Sequence, residues 1–335
     1  MIVHVVPYLN EYGGIQTFAK DVRRLLKDEF DIQALDFSFP ESHLRFLLQS
    51  KILWRKEKII QDAKLIHFWQ PLSAIGFENT NYIVSCHGKE ILPSNLKAFE
   101  KRALRNVFKR AQAIQVNSKF TRKILFKYFP GVSETKVKLI YPGVAIRGRK
   151  VYKHSKLTIG TLTRFNPRKN VPNIIKALDI LAENLNTNFR YILVGSGEEE
   201  KIIRRELAKA KFPWQHIKNM SDEKKWASFY PKLNIFALPT LSLGDDLEGF
   251  GIVYLEANSF GIPVVASKVD GVKESVKENV SGIFTNPHDP KSIAEAVYRL
   301  IKERRRYERS TRIWAKQFSL EKMSSEFRDL YKQYE

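Results

Sequence analysis

Two glutamates eight residues apart are the most distinctive pair of chemically capable side chains in the sequence. Glu248 and Glu256 enclose a segment that starts with Gly249-Phe250-Gly251 and continues as a predicted helix. Eight residues are slightly over two helical turns, so both carboxylates can lie near one face, about 12 Å apart if both are helical. That separation excludes a shared proton and suits the two ends of one elongated ligand. Free N–H groups at the helix start favour phosphate or sugar oxygens, and an amphipathic helix with an acidic start is the alternative.

Two cations follow a predicted strand at the start of the second half of the sequence. Arg164 and Lys169 come after the strand that begins at Leu157, and a predicted helix follows them. There they can neutralise a diphosphate, Arg164 through its planar fork of donors and Lys169 as a point charge. Two surface cations on a basic protein are the alternative, and the position at a strand end favours function.

Glycines and one histidine also stand directly after predicted strands. Gly13-Gly14 precedes a helix, where small residues let the backbone approach an anion such as a diphosphate. Gly195 and Gly197 close another strand and suit a loop against which a ribose or a base lies. His87 follows a further strand, so we expect its side chain to point into the crevice at the strand ends. An ordinary turn and a structural histidine are the alternatives.

The pattern along the chain predicts elements that bring these strand ends together. Short apolar runs alternate with segments of helical periodicity, which is typical of βαβ units and parallel sheets. The predicted strands lie at 2–8, 31–37, 64–69, 81–86, 112–117, 136–140, 157–160, 189–194, 233–238, 262–266 and 282–285. The predicted helices lie at 14–28, 43–61, 95–110, 118–128, 169–185, 198–210, 222–230, 249–260 and 289–304, with further helical periodicity from Phe318 to Tyr334.

The alternation breaks at 142–156, where a Pro-Gly turn and a basic polar stretch predict a linker. We therefore predict two α/β domains, at 1–150 and 151–318. The length of 335 residues fits about two domains, and the single cysteine excludes an internal disulfide framework. No charge-free run approaches the ~20 apolar residues that span a bilayer, and the N-terminus predicts a first strand and no signal peptide. We therefore expect a cytoplasmic protein.

The positive charge is unevenly distributed along the chain. The formal net charge is +21, and residues 1–150 hold 26 Lys and Arg against 13 Asp and Glu. The stretch from Lys97 to Lys127 is the densest, and the segment 43–56 is basic and apolar at near-helical spacing. Such fields attract polyanions, so we expect peripheral binding to an anionic membrane surface through the first domain. A solvated surface and a core-packed helix are the alternatives. We expect no nucleic acid, because the sequence has neither zinc-finger spacing nor an RNA-binding aromatic motif.

Together these motifs resemble those of a known family. The segment from Glu248 to Glu256 resembles the glutamate–seven–glutamate motif of the retaining glycosyltransferases of family four, the group 1 glycosyltransferases. The next segment, 257–266, is similar to the family's following block, and the resemblance is dense over 157–305. Three positions of the first domain match in order: Gly14, His87 and Ser118.

The resemblance implies a GT-B fold, in which two Rossmann-like domains face each other across a donor and acceptor cleft and the helix at 319–335 packs on the first domain. It implies a retaining hexosyltransferase that uses a nucleotide-diphosphate sugar of the GDP-mannose or UDP-glucose type, with a glycan or lipid-linked acceptor. His87 and Glu248 are implied to contact the transferred sugar, while Arg164 and Lys169 bind the diphosphate and stabilise its leaving charge. The implied donor-binding positions are Gly14, Gly195, Gly197, Phe250, Gly251, Ile252 and Glu256, with Glu256 on the ribose.

In this family transfer is thought to take place on one face of the sugar, and the leaving phosphate itself helps to deprotonate the acceptor. The resemblance therefore implies neither a carboxylate nucleophile nor a metal or other cofactor, and Asp245-Asp246 lacks a supporting ligand pattern. A sugar-nucleotide epimerase or a phosphorylase on the same fold, and a basic polyanion-binding protein, are the alternatives. An epimerase converts donor without acceptor, and a phosphorylase requires inorganic phosphate.

Overall fold

A computed structural model describes residues 1–9, 13–37, 54, 57–79, 81–147, 157–185 and 188–335 of the protein. The chain divides into two compact units, the first formed by Met1–Gly143 with Leu320–Glu335 and the second by Val144–Ser319. The domain boundary predicted at 150/151 lies outside the described residues, as does most of the helix predicted at 43–61.

The first unit is built on a parallel six-stranded sheet with the strand order β2-β1-β3-β4-β5-β6. Its central strands are apolar runs buried on both faces, as expected for a parallel sheet covered by helices. The strands are β1 (Ile2–Pro7), β2 (Ile32–Phe37), β3 (Leu65–Phe68), β4 (Tyr82–Cys86), β5 (Ala113–Val116) and β6 (Val137–Leu139). The helices are α1 (Gly14–Leu26), α2 (Lys58–Gln61), α3 (Ala98–Arg110) and α4 (Lys119–Tyr128).

The second unit repeats this architecture, with the parallel strand order β12-β11-β10-β7-β8-β9 and one large apolar core. The strands are β7 (Leu157–Leu162), β8 (Phe189–Val194), β9 (Trp214–Ile217), β10 (Ile235–Ala237), β11 (Val264–Ser267) and β12 (Gly282–Thr285). The helices are α5 (Val171–Leu185), α6 (Glu200–Lys209), α7 (Asp222–Lys224), α8 (Ile252–Ser259), α9 (Val272–Ser275) and α10 (Pro290–Lys316). The last helix, α11 (Leu320–Tyr334), belongs to the first unit.

The structure departs from the sequence prediction at β9, at the segment 222–230, at the start of α8 and at the end of α10. The edge strand β9 was missed because its residues are exposed or half-buried and form no apolar run. The helix predicted at 222–230 is the short α7 followed by a π-helical turn, Lys225–Phe229. The helix predicted at 249–260 begins only at Ile252, because Gly251 has a φ of 84°, in the left-handed region.

A buried polar network joins α11 to the sheet of the first unit. The Tyr331 hydroxyl lies 2.8 Å from His67 Nδ1 and 2.8 Å from His4 Nε2, and His67 Nε2 lies 2.7 Å from Ser85 Oγ. All four side chains are inaccessible to solvent. Burial lowers the pKa of His4 to about 3 and that of His67 well below its usual value, so both imidazoles are neutral at neutral pH. The network therefore fixes α11 through polar contacts that pH can disturb.

Local sequence accounts for where several helices begin. Ser118 Oγ accepts a hydrogen bond from Thr121 N at 3.0 Å and thereby caps α4. Asp289 accepts from Lys291 N at 2.9 Å and caps α10, which continues to Lys316 and is longer than predicted. Within the described residues, no helix has the length and apolar character needed to cross a membrane.

The strand order places a topological switch point in each sheet. In the first unit the chain runs outward in one direction from β1 to β2 and then in the other from β3. In the second unit it runs from β7 through β8 to β9 and then returns to β10 on the other side of β7. Loops that follow β7 and β10 therefore meet at the carboxyl edge, which is where open α/β sheets bind ligands.

Candidate active site

Two cations and a glutamate meet at the switch point of the second unit. The loop after β7 carries Arg168 and Lys169, and the loop after β10 carries Glu248. Arg168 Nη1 donates to Glu248 Oε2 at 2.5 Å, and Lys169 Nζ donates to the same oxygen. Arg168 Nε also lies 3.3 Å from Asp246 Oδ2. The structure thus brings the predicted residues Lys169 and Glu248 into a direct ion pair.

The loop after β7 is held in place by asparagines. Asn166 Oδ1 accepts from Lys169 N at 3.2 Å and caps a single 3₁₀ turn. Asn170 adopts a left-handed φ of 57°, which this residue type tolerates better than most. Its Nδ2 donates to the carbonyl oxygens of Pro239 and Pro287 at 3.0 and 2.7 Å. These bonds fix the backbone from which both cations project.

Opposite charges keep the Glu248 carboxylate ionised. Burial alone would raise the pKa of Glu248, but the charges of Lys169 and Arg168 outweigh burial and lower the pKa to about 2. Burial lowers the pKa of Lys169, an effect that Glu248 partly offsets. The Glu248 backbone N–H donates to Asp270 Oδ2 at 3.1 Å, which fixes the loop from the other side. An anion that approaches Lys169 therefore competes with Glu248 for its ammonium.

The structure adds Arg168 to the two predicted cations, Arg164 and Lys169. Arg168 is 8% exposed and bonded to Glu248, whereas Arg164 is exposed on the same loop. Sequence reasoning did not identify Arg168, because spacing along one loop does not reveal that this arginine pairs with Glu248 on the neighbouring loop. The pairing partner, 80 residues away, was the missing information.

The predicted Gly-Phe-Gly segment forms the turn that opens α8. Gly251 precedes the helix with its left-handed φ, and a Cβ there would lie 2.6 Å from the ring of Tyr254. Phe250 is buried with its ring centroid 5.7 Å from that of Phe318. Ile252 is the first helical residue, so its N–H group is one of those without a partner inside the helix. Glu248 lies before the helix, so the two motif glutamates do not share one helical face.

Gly195 and Gly197 serve the packing of the chain itself. Their φ values are 144° and 154°, and added Cβ atoms would lie 1.8 Å from Thr163 O and 2.4 Å from Phe165 O. The turn that contains them therefore lies directly against the loop after β7. His216 Nε2 donates to the Gly195 carbonyl at 2.9 Å. Backbone conformation and close packing therefore require glycine at both positions, whether or not a ligand binds there.

Glu256 is almost completely buried and has its own partners. It is 3% exposed, Lys225 Nζ donates to its Oε1 at 2.8 Å, and the Tyr230 hydroxyl donates to its Oε2 at 2.6 Å. Sequence reasoning did not find Lys225 or Tyr230, because their connection with Glu256 exists only in the fold. The predicted ribose-binding carboxylate is therefore part of a charged cluster of this unit.

His87 follows β4 in the first unit and is held in one tautomer. Its Nε2 donates to the Trp69 carbonyl at 2.9 Å, and its backbone N–H donates to Glu90 Oε1. Burial lowers the pKa of His87, so the ring is neutral at neutral pH and its Nδ1 is then unprotonated. Among the described residues no hydrogen bond engages Nδ1. The imidazole can therefore accept a hydrogen bond from a hydroxyl group.

Gly14 is the first residue of α1, in the loop after β1 of the first unit. It is exposed, and a Cβ added there would meet no described atom within 4 Å. Packing within the described residues therefore does not explain the glycine. The free N–H groups at this helix start can bind an anion.

The fold and the residues of the site together define a class of protein. Two Rossmann-like units carry polar and cationic side chains on loops at the carboxyl edges of their sheets, and the second has an ion-paired switch point. This is an arrangement that binds nucleotide phosphates. Among the described residues, no cluster of three or more His, Cys, Asp or Glu side chains is arranged to hold a metal ion.

Family models cover nearly the whole chain. The model described as glycosyl transferases group 1 matches residues 145–316, and the model described as glycosyltransferase family 4 matches residues 4–147. The chain therefore belongs to the group 1 glycosyltransferases, as the motifs predicted, and it is a glycosyltransferase with the GT-B fold.

Individual relatives are distant. A GDP-mannose-dependent α-(1-6)-phosphatidylinositol monomannoside mannosyltransferase of Mycobacterium tuberculosis is 27% identical over 67% of this chain, and the match spans 61% of that protein's length. The crystal structure of HepE from Anabaena in complex with UDP-glucose is 19% identical, with a TM-score of 0.77 over 99% of both chains. Sucrose-phosphate synthase from Thermosynechococcus elongatus is 15% identical, with a TM-score of 0.82 over 99% of this chain and 98% of that one.

Proposed function

We propose that this chain is a retaining hexosyltransferase that uses a nucleoside-diphosphate hexose as donor. One observation carries the proposal: Lys169 and Arg168 converge on Glu248 at the switch point of a nucleotide-binding type of sheet. The two cations supply positive charge where a diphosphate can lie, and the carboxylate beside them can accept hydrogen bonds from sugar hydroxyls.

The charges at this site suit the departure of a nucleoside diphosphate. Cleavage of the bond between the sugar and the diphosphate builds negative charge on a phosphate oxygen, and fixed cations stabilise that charge. In the proposed bound state, Lys169 turns part of its ammonium from Glu248 to the phosphate. Arg168 keeps its ion pairs with Asp246 and Glu248, and the exposed Arg164 adds charge from the same loop. Glu248 is then free to orient the hydroxyl groups of the hexose.

Retention and independence from metal ions are part of the proposal. The leaving phosphate takes the acceptor proton on the face of the sugar from which it departs, so the new bond forms on that face. In the first unit, the unprotonated Nδ1 of His87 can accept a hydrogen bond from a sugar hydroxyl. Gly14, also in the first unit, leaves open space for an anion at the start of α1. Because side chains supply the positive charge, the reaction needs no divalent cation and no other cofactor.

The donor is a GDP-mannose or UDP-glucose type of compound, and the acceptor is a glycan or a lipid-linked glycan. The names of the mycobacterial relative and of the Anabaena complex support these two donors. Both nucleotides therefore belong in the test.

The test measures nucleoside-diphosphate release from UDP- and GDP-sugars, with EDTA present. We expect one nucleotide series to be turned over, and Lys169→Met to reduce release at least tenfold. Lys176→Met, an exposed lysine on α5, is the matched control and should not change release. Release that requires inorganic phosphate, or conversion of the donor sugar without acceptor, would instead indicate a phosphorylase or an epimerase. The proposal is wrong if neither UDP- nor GDP-sugars bind.

We further propose that the first unit binds anionic membrane surfaces peripherally. Helix α3 exposes Arg102, Arg105, Lys109 and Arg110, and polybasic faces attract anionic lipid with a strength that salt reduces. Of the basic segment 43–56 only Trp54 is described, and it is 4% exposed and packed on Phe37, which favours core packing at that end.

Flotation with phosphatidylcholine vesicles, with and without phosphatidylglycerol, tests the membrane proposal. We expect salt-sensitive binding only to the anionic vesicles, and weaker binding for the Arg102→Gln, Arg105→Gln double variant. The charge-matched control is Lys201→Gln with Lys209→Gln, which neutralises two exposed cations on α6. Equal flotation of both double variants would assign the binding to a different surface, and no flotation of the unmodified protein would reject the proposal.

A further inference from the structure

The second glutamate of the motif has acceptor capacity left after its internal bonds. Lys225 Nζ and the Tyr230 hydroxyl each occupy one oxygen of Glu256, at 2.8 and 2.6 Å. An ionised carboxylate can accept about four hydrogen bonds, and no other bond engages it in the described part of the chain. Each oxygen therefore keeps a position for one more donor. Two adjacent acceptors on one carboxylate match the two hydrogens of a vicinal diol.

Lys225, which contacts Glu256, is the first residue of a π-helical turn. The π-helical turn Lys225–Phe229 follows α7 directly, and such turns are rare and often occur at functional sites. Lys225 is 8% exposed, and its Nζ also lies 3.1 Å from Asp222 Oδ1. Its ammonium lies 4.5 Å from the centroid of the Trp226 ring. The lysine is thus held on several sides, with its charge directed at the motif glutamate.

The protonation states of this cluster fit a carboxylate that accepts hydrogen bonds. Burial raises the pKa of Tyr230 well above its usual value, and Glu256 raises it further, so the phenol stays protonated and donates. Burial alone would lower the pKa of Lys225, but Glu256 and Asp222 outweigh it and raise the pKa. The ammonium therefore remains charged. A buried ion pair contributes little to stability compared with an apolar pair, so stability alone gives weak reason for this lysine.

We propose that Lys225 is a positioning residue for nucleotide binding, which orients the Glu256 carboxylate so that its free acceptor positions take both hydroxyls of the donor's ribose. This inference rests on the proposed function, because it requires a nucleoside diphosphate in the second unit. Lys225 then acts through Glu256 and affects binding of the donor more than the chemical step. It also makes the site selective for ribose over deoxyribose, because a missing hydroxyl leaves a buried acceptor unpaired.

The experiment measures binding of UDP, GDP and their 2′-deoxy forms by titration calorimetry, together with donor KM and kcat for nucleoside-diphosphate release. For the unmodified protein we expect the preferred ribonucleotide to bind at least tenfold more tightly than its deoxy form. Lys225→Met should weaken ribonucleotide binding about tenfold, reduce the ribose preference to less than threefold, and raise KM with kcat changed less than twofold. Lys225→Arg should restore most of the preference, since it keeps the charge.

Lys224→Met is the matched control, because it makes the same substitution at the adjacent, exposed lysine. It should bind both nucleotide forms as the unmodified protein does. Lys225→Met leaves a buried carboxylate unpaired and can lower the stability of the fold, so the double variant Lys225→Met, Glu256→Gln removes both charges together. We expect this variant to fold and to lack the ribose preference to the same extent as Glu256→Gln alone, since the two residues act as one unit.

Two results would overturn the inference and are distinguishable. If the unmodified protein prefers the ribonucleotide and folded Lys225→Met keeps the full preference, Lys225 does not position Glu256, and the proposed function is unaffected. If the unmodified protein binds neither UDP nor GDP in any form, the proposed function itself fails and the inference fails with it.

Discussion

The ion pairs of Glu248 give the most quantitative prediction. Glu248→Gln removes the negative charge that Arg168 and Lys169 share and keeps the shape of the side chain. The pKa of Glu248 falls from 4.5 to about 2, and each pKa unit corresponds to about 1.4 kcal/mol, so the folded surroundings as a whole favour the ionised form by about 3 kcal/mol. Loss of that term at pH 7 should lower the free energy of unfolding by about 3 kcal/mol.

The pH dependence of this loss provides the sharper check. Because the folded-state pKa is depressed, the stabilisation is complete above about pH 4.5 and is lost as the pH falls through about 2. At pH 4 about 1 kcal/mol of this stabilisation is already lost. The difference in free energy of unfolding between Glu248→Gln and the unmodified protein should therefore be about 1 kcal/mol smaller at pH 4 than at pH 7. Urea unfolding at both pH values measures the gap directly.

A surface carboxylate supplies the control for this experiment. Glu200 accepts from Arg204 and Lys218, both at 2.8 Å, but the cluster is exposed, and screened pairs contribute little. Glu200→Gln should therefore leave the free energy of unfolding almost unchanged. The reasoning is refuted if Glu248→Gln is as stable as the unmodified protein at pH 7, or if its deficit is the same at pH 4 as at pH 7.

Three further predictions follow from the structure. Gly195→Ala should lower the free energy of unfolding by about 3 kcal/mol, because the added Cβ would lie 1.8 Å from Thr163 O and the φ of this residue is 144°. Gly131→Ala is the control and should leave the free energy of unfolding unchanged, because its Cβ meets no described neighbour. Urea unfolding compares the two variants. The folded-state pKa of His4 is about 3, so as the pH falls the unfolded chain binds a proton at this residue before the folded chain does. The free energy of unfolding should therefore decline below pH 6.5, and His4 accounts for about 2 kcal/mol of the decline at pH 5. His4→Gln should remove that part of the pH dependence of unfolding, and an unchanged pH dependence would contradict the prediction. Gly14→Ala should keep the melting temperature, because its Cβ meets no described atom. It should raise donor KM several-fold, because the Cβ occupies space at the helix start where an anion can lie. An unchanged KM would show that Gly14 is not part of the donor site.

The sequence predicted the sheets well because parallel strands buried on both faces are continuous apolar runs. Residues 264–266 are such a run, residues 2–6 form one that only His4 interrupts, and both segments lie in strands as predicted. The strand β9 has no such run, since it lies at a sheet edge and its residues are exposed or half-buried. A search for apolar runs therefore did not detect it. The extent of α10 was underestimated because the charged segment 302–309 interrupts its apolar periodicity.

The candidate site was predictable where residue type and position along one loop were sufficient. Lys169 and Glu248 were identified from strand ends and motif spacing, and the fold brings them together. Arg168 and Lys225 were not identified, because each is distinguished only by an ion pair with a glutamate that is far away in sequence, 80 and 31 residues respectively. Gly195 was identified for a ligand contact, whereas its close approach to Thr163 is a matter of tertiary packing.

The central claim is retaining transfer of a hexose at the cationic switch point of the second unit, and one measurement tests it most directly. The protein is incubated with UDP-glucose or GDP-mannose and a glycan acceptor, and the anomeric configuration of the new linkage is read by proton NMR. The account predicts an α-linked product from one of these α-configured donors, formed in the presence of EDTA and lost in Lys169→Met. A β-linked product would contradict retention, and a product formed equally well by Lys169→Met would contradict the assignment of the site.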